Sequence, residues 1–169
     1  MSNQALPLRP CYLRPALANI CKFVLVLMIA GSSARARLGE TFEECKARYG
    51  DPVKVFQAGP VFIKGDFQIQ IAFYDGKAGL IVFMKASGLA GVHEPLSDTE
   101  IATLMRANGS KSPWKQEKDS PPGGRGWVTE DGLLFAMYEK NQLWIGTKAG
   151  MTRYFRDAAA KEKMKMEGF

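Results

Sequence analysis

The side chains with the greatest potential for chemistry are one cysteine and one histidine in the part of the chain after residue 36. Cys45 would need an adjacent base to act as a nucleophile, and His93 is the single histidine of the sequence. His93 and the neighbouring Glu94 fall short of the three or four protein ligands that a zinc ion needs. We therefore predict that Cys45 is a small buried hydrophobe and that His93 lies in a solvated loop.

Longer motifs for catalysis or cofactor binding are absent from the sequence, which contains no HExxH, P-loop, Cys-x-x-Cys or nucleophile-elbow pattern. The glycine-rich run Asp119–Gly126 leads into a strand-like segment at Trp127–Thr129, whereas a dinucleotide-binding glycine loop opens a helix. We expect no catalytic residue, no metal ligand and no cofactor. The alternative is an enzyme whose site is dispersed along the chain and includes His93.

Aromatic and basic side chains are candidates for contact with a protein partner, because Trp and Arg are enriched at the centres of interfaces. Trp114 and Trp127 flank a loop that contains Arg125, although a core position is the alternative for each tryptophan. Ile81 and Phe83 are also candidates, because they are apolar residues on the largely polar face of a predicted β-hairpin. The predicted interaction surface comprises Ile81, Phe83, Trp114, Arg125 and Trp127.

Two capping boxes mark the helices that would position these residues. Thr41 and Glu44 have the spacing in which a hydroxyl and a carboxylate each accept a hydrogen bond from a free backbone N–H of the first turn, and Ser97 and Glu100 repeat it. Each box is followed by apolar residues at helical spacing and then by a glycine. The sequence therefore predicts two short capped helices.

The strongest β pattern is a hairpin over Phe67–Lys85, with the turn at Asp75–Gly76, a dipeptide that suits a two-residue type I′ turn. Uninterrupted pairing from this turn places Phe73 opposite Ala78 and Ile71 opposite Leu80. One face of the hairpin is then wholly apolar. Ile81 and Phe83 of the predicted interaction surface fall on the other face, which is largely polar.

Further strands are predicted from alternating apolar residues and turn signals. Their ranges are Val53–Gln57, Val61–Lys64, 126–130, 133–139 and 142–147. Tight turns are expected at Asp131–Gly132 and Lys140–Asn141, and Phe135, Met137 and Trp144 should share one face. Residues 158–169 are expected to form a C-terminal tail or a frayed helix, because their apolar stripe is thin.

The first 36 residues have the pattern of a cleaved secretory signal peptide. An apolar run of eight residues, Phe23–Ala30, is followed by Ala34-Arg35-Ala36, which fits the A-x-A cleavage site. The run is short of the about 20 residues that span a bilayer. A membrane anchor and a mitochondrial transit peptide are the alternatives. Cleavage after Ala36 would make the protein periplasmic or extracellular, without a stable membrane anchor.

Most of the excess positive charge lies in this leader. The whole chain has a formal net charge of +6, whereas the part after Ala36 keeps 19 basic and 17 acidic residues and a net charge of +2. So small an excess gives no reason to expect nucleic-acid binding. We predict a single domain over residues 37–157.

The landmarks of this domain recur at a fixed spacing. Thr41 precedes Asp75 by 34 positions, and Ser97 precedes Asp131 by the same 34. The spacing predicts two similar units, residues 41–85 and 97–147. The predicted fold class is α+β, with an antiparallel sheet, or two, built from these helix-plus-β-meander units and with the two short helices packed on it.

Residues Gly39–Pro52, with the pattern Gly-x-Thr-x-x-Glu-Cys-x-x-x-Tyr-Gly-x-Pro, resemble the opening motif of small envelope proteins of the SmpA/OmlA (BamE-like) kind. They are also similar to a group of uncharacterised secreted bacterial proteins. Unlike the envelope lipoproteins, this chain has no cysteine after its apolar run. The resemblance implies a non-catalytic binding module with a protein partner in the cell envelope. A weak binder of anionic surfaces through the lysine-rich C-terminal tail is a further alternative.

Overall fold

A computed structural model describes residues 38–86, 93–118, 120 and 123–167, all within one compact unit. The helices are α1 (Phe42–Tyr49), α2 (Asp98–Asn108) and α3 (Lys148–Glu167). The strands are β1 (Lys54–Phe56), β2 (Gly59–Lys64), β3 (Phe67–Tyr74), β4 (Lys77–Lys85), β5 (Trp114–Gln116), β6 (Arg125–Thr129), β7 (Leu134–Glu139) and β8 (Gln142–Thr147). The predicted signal peptide lies outside the described residues.

The eight strands form one antiparallel sheet in the order β1-β2-β3-β4-β8-β7-β6-β5. Each half of the sheet is a four-strand meander that follows one of the two short helices, and the halves join where β4 pairs with β8. This arrangement confirms the predicted α+β class and the antiparallel sheet.

The order of strands in the sheet and the 34-residue spacing in the sequence match the two halves of the domain in different ways. The order of strands makes β4 the counterpart of β8. The spacing of 34 residues instead matches the turn between β3 and β4 with the turn between β6 and β7, and it leaves β8 without a counterpart. The duplication therefore stays a prediction.

Both capping boxes form as predicted. The backbone N–H of Thr41 donates to the Glu44 carboxylate at 2.8 Å, and the N–H of Ser97 donates to Glu100 at 2.7 Å. The hydroxyl of each cap accepts in return from the glutamate N–H. These bonds satisfy N–H groups that a helix start otherwise leaves unpaired, so both helices begin where the sequence places them.

The β3–β4 hairpin begins at the predicted turn, where Asp75 and Gly76 both have positive φ, at 51° and 75°. Phe73 pairs with Ala78 as expected, but a β-bulge follows and the next pair joins Ala72 to Leu80. The register predicted beyond the turn is therefore wrong by one residue. Alternation could not reveal this bulge, because residues 78–84 of β4 are buried on both faces of the sheet and show no polar–apolar alternation.

The bulge reverses the faces of the outer part of β4. Ile81 lies opposite Ile71 and Phe83 lies opposite Ile69, so all four side chains point to the face that carries α1 and α2. Ile81 is 0% exposed and Phe83 is 2% exposed. The prediction that these two residues belong to an interaction surface is corrected, because both are core residues.

Each face of the sheet has its own apolar cluster. The larger cluster joins β2, β3, β4, β7 and β8 to Cys45 of α1 and to Ile101 and Met105 of α2. The smaller cluster, on the opposite face, packs strand residues such as Leu80 and Val82 against Met151 and Tyr154 of α3. The sheet is thus covered on both faces near its centre.

The C-terminal segment, predicted as a tail or a frayed helix from residue 158, is helical as far as Glu167, where α3 ends. Two other elements differ from the sequence predictions. The short strand β5 falls in a region with no apolar period. Four residues, 130–133, join β6 to β7 in place of the predicted two-residue turn, and the Asp131 carboxylate accepts from the Thr129 hydroxyl and the Leu133 N–H.

No helix in the described part of the chain has the length and apolarity to cross a membrane.

Candidate functional site

A groove of about 600 Å³ opens between α2 and the strands β5 and β6. Its floor carries Trp114 and Gln116 of β5 and Arg125 and Trp127 of β6, which point to the same face because the pairs Trp114–Thr129 and Gln116–Trp127 stand opposite each other in the sheet. Its wall is the side of α2 that carries Ala102. The groove exists because α2 packs over β8, which leaves the inner face of β5 and β6 without a helix of its own.

The indole of Trp114 is fixed in the groove by a hydrogen bond. Its Nε1–H donates to the carbonyl oxygen of Met105, 3.1 Å away, so the ring bridges β5 and the last turn of α2. Gly109 makes room for it, because a Cβ at that position would stand 2.9 Å from the same Nε1. Trp114 and Trp127 are both half-buried, with part of each ring facing the groove.

Arg125 links the floor of the groove to its wall. Its guanidinium lies over the rings of Trp127 and Tyr138, with 5.5 Å and 5.2 Å to the centroids. It also donates to the carboxylate of Asp98 at 2.6 Å. Asp98 is the first residue of α2, where a carboxylate is favoured by the helix dipole. The pair is partly open to solvent, so its contribution to stability is small.

Two further cations border the groove without a neutralising carboxylate. Arg106 and Lys111 line it, both are exposed, and neither forms an ion pair within the described ranges. Asp98, which Arg125 already engages, is the one carboxylate among the lining residues. The groove therefore carries a net positive charge beside an aromatic floor.

The structure brings together three of the five residues predicted for the interaction surface. Trp114, Arg125 and Trp127 meet in the groove, although Trp114 and Trp127 are 13 positions apart in the sequence. Sequence reasoning missed Arg106 and Lys111 as parts of the same site. Helical phase could have placed Arg106 on the side of α2 away from its buried residues, but nothing local links that side to β5.

Cys45 is a core residue, as predicted. Its side chain is 1% exposed, and burial, reinforced by the negative charge of Glu40, raises the pKa of the thiol to about 12. The same Glu40 carboxylate is bound by Arg48 and lies 3.9 Å from the sulfur. The thiol is therefore protonated at neutral pH, and a thiolate nucleophile is unfavourable here.

His93 occupies a structural position at the end of the hairpin. Its Nδ1 is 2.7 Å from the carbonyl oxygen of Lys85, and the side-chain amide of Asn141 donates to the His93 carbonyl at 2.8 Å. The residue is half-buried rather than fully solvated. Within the described ranges, no three His, Cys, Asp or Glu side chains come together as a metal site.

A second cavity, of about 540 Å³, lies at the C-terminal end of α2, where α3 begins. Asp75 and Arg153 stand on its rim 3.9 Å apart. The buried amide of Asn108 also lines it, and its Oδ1 accepts no hydrogen bond from the described residues. That oxygen is closed off from solvent, so a molecule in the cavity would not reach it without a rearrangement.

Comparison with protein-family models, with curated proteins and with solved structures gives no match to this chain. The groove is therefore the feature of the molecule from which a function is inferred.

Proposed function

We propose that the chain is a non-catalytic, exported binding module that holds a protein partner in the groove between α2 and the β5–β6 strands. The observation that carries this proposal is the open inner face of β5 and β6, where Trp114 and Trp127 present part of their rings beside Arg125. Half-exposed aromatic rings with a stacked arginine have the composition of interface centres. The leader-like residues 1–36 and the resemblance of Gly39–Pro52 to envelope proteins support a partner outside the cytoplasm.

The groove is suited to binding a chain segment. Its volume of about 600 Å³ would accommodate a few side chains, whereas a flat docking face would offer no depth. The groove is also held in shape before binding, by the Trp114–Met105 hydrogen bond and the Arg125–Asp98 ion pair. A pre-formed site lowers the entropy cost of association.

Site-specific photocrosslinking tests the proposal. A benzophenone amino acid at Ala102 or at Gln116 would stand in the groove, whereas the same residue at the exposed Val55, in strand β1, would stand at the opposite edge of the sheet. We expect both groove positions to capture the same protein in the cells that produce this chain, with loss of capture on Trp127→Leu. Capture of equal strength from position 55, or none from the groove, contradicts the proposal.

A further inference from the structure

We infer that the occupant of this groove is an extended, acidic segment of the partner protein, a conclusion that rests on the proposed binding role of the groove. The charge of the lining favours an acidic occupant. The lining contains three cations, Arg106, Lys111 and Arg125, against the single carboxylate of Asp98. Because Asp98 is engaged with Arg125, the charges of Arg106 and Lys111 stay available to carboxylates of a bound segment.

The free edge of the sheet favours an extended occupant. The strand β5 is the last in the order and pairs only with β6 among the described strands. The N–H of Glu117 donates to Gly126, and the N–H of Glu130 donates to Pro113. Since backbone groups alternate in direction along a strand, those of Trp114 and Gln116 point away from β6. They are placed to pair with a segment that lies along β5.

These two features select the same conformation. A segment paired with the outer edge of β5 would be extended, and alternate side chains would turn toward the face that carries Trp114 and Gln116. An apolar side chain at such a position would meet the tryptophan floor. Acidic side chains flanking it would lie near the cationic rim of Arg106 and Lys111.

A single-stranded nucleic acid is the competing occupant, because it also combines negative charge with flat rings. Base stacking requires an open aromatic face. Here the guanidinium of Arg125 lies over Trp127, and Trp114 is held edge-on to α2 by its bond to Met105. The floor is therefore better shaped for an aliphatic or aromatic side chain than for a stack of bases.

The test begins with a random dodecapeptide library displayed on phage and selected against the full chain. We expect the recovered peptides to be enriched in Asp and Glu around an apolar residue and to lose binding on Trp127→Leu. Replacing their Asp and Glu by Asn and Gln should weaken binding about five-fold or more, and raised salt should weaken the acidic forms selectively.

Substitutions on the exposed surface of α2 provide matched variants that leave the core intact. Ala102 faces the groove, whereas its exposed neighbour Thr103 is not part of the lining. We expect Ala102→Glu to weaken the selected acidic peptides about two- to five-fold, Ala102→Lys to leave them unchanged or tighter, and Thr103→Glu to have little effect. Equal effects of the two glutamate substitutions would overturn the inference.

The remaining outcomes separate this inference from the proposed function. If the recovered peptides are neutral or basic but still require Trp127 for binding, the inference of an acidic segment is wrong, whereas the proposal that the groove binds a protein segment still holds. Failure to recover any groove-dependent peptide, while crosslinking from Ala102 and Gln116 persists, overturns the extended acidic segment alone; loss of both overturns both. If oligothymidylate displaces the selected peptides at a lower concentration than unlabelled peptide does, the groove is a nucleic-acid site instead.

Discussion

Gly150, in the first turn of α3, lies directly against the backbone of Gly79 in β4. A Cβ placed on Gly150 would come within 2.2 Å of the Gly79 carbonyl oxygen, closer than any real contact. A Cβ on Gly79 would in turn lie 2.6 Å from the ring of Tyr74. Because Gly79 is the residue at the β-bulge, this pair of glycines places α3 on the second face of the sheet.

The close approach predicts that Gly150→Ala is destabilising, although alanine in place of glycine within a helix otherwise stabilises by about 0.5–1 kcal/mol. Overpacking against a backbone carbonyl should dominate and lower the free energy of unfolding by about 1–3 kcal/mol. Thr152→Ala, at an exposed position two residues later, is the matched control and should be neutral or slightly stabilising. Urea denaturation measures both, and an equally stable Gly150→Ala variant would show that α3 sits elsewhere.

The capping box of α2 predicts a pH-dependent contribution to stability. The Ser97 N–H, and then its hydroxyl, hold the pKa of Glu100 below its ordinary value of 4.5. A lowered pKa in the folded state stabilises above pH 4.5 and loses that effect as pH falls through the folded value. Glu100→Gln should therefore cost about 1 kcal/mol or less at pH 6, with a smaller cost below pH 4.5. Glu162→Gln, an exposed glutamate in α3, serves as the control in denaturation at both pH values.

Burial of Cys45 predicts that its thiol is unreactive in the folded protein. At pH 8 the group is protonated, since burial raises its pKa to about 12, and reagents cannot reach it at 1% exposure. In a variant with Cys11→Ser and Cys21→Ser, labelling by a disulfide reagent should be limited by unfolding and should accelerate sharply in urea. If, without denaturant, the Cys45 thiol were labelled as fast as that of an unfolded control peptide, Cys45 would not be buried where α1 packs on the sheet.

The ion pair of Asp98 with Arg125 predicts a gain of affinity when the carboxylate is removed. Asp98→Asn releases Arg125 toward an acidic ligand and should tighten the selected acidic peptides about two- to five-fold in fluorescence anisotropy titrations. Asp51→Asn makes the same change in net charge at a carboxylate that pairs with Lys46 of α1, away from the groove. Equal tightening by both variants would point to a non-specific charge effect.

The outer half of α3 predicts tolerance to truncation. Lys161 is the last half-buried residue of the helix, and residues 162–167 are exposed. Ending the chain after Lys161 should lower the free energy of unfolding by less than about 0.5 kcal/mol. Tyr154→Ala should cost about 1–3 kcal/mol, because the ring packs edge-on against Trp144 with 5.3 Å between centroids. A large loss on truncation would reveal a role for the helix end that its exposure does not explain.

Local chemistry explains the parts of the fold that the sequence predicted well. The two capping boxes and the turns at Asp75–Gly76 and Lys140–Asn141 depend on residues close together in the chain, and each forms as expected. The face shared by Met137 and Trp144 also follows from alternation, because the β7–β8 pairing has no bulge.

The errors arise where contacts between distant segments decide the outcome. The bulge at Gly79 fits a helix that begins 69 positions later, and it moves Ile81 and Phe83 from the predicted surface into the core. The strand β5 exists through its pairing with β6 rather than through any apolar period.

The sequence by itself determined where the two capped helices and two of the tight turns begin, how strands alternate, and which aromatic and basic residues were available for binding. Only the tertiary structure decided which of them share a surface. Trp114, Trp127 and Arg125 meet Arg106 because α2 packs over β8 rather than over β5 and β6, so the groove is the space that a helix leaves uncovered. Such a space depends on the packing of whole elements, and no local pattern of residues encodes it.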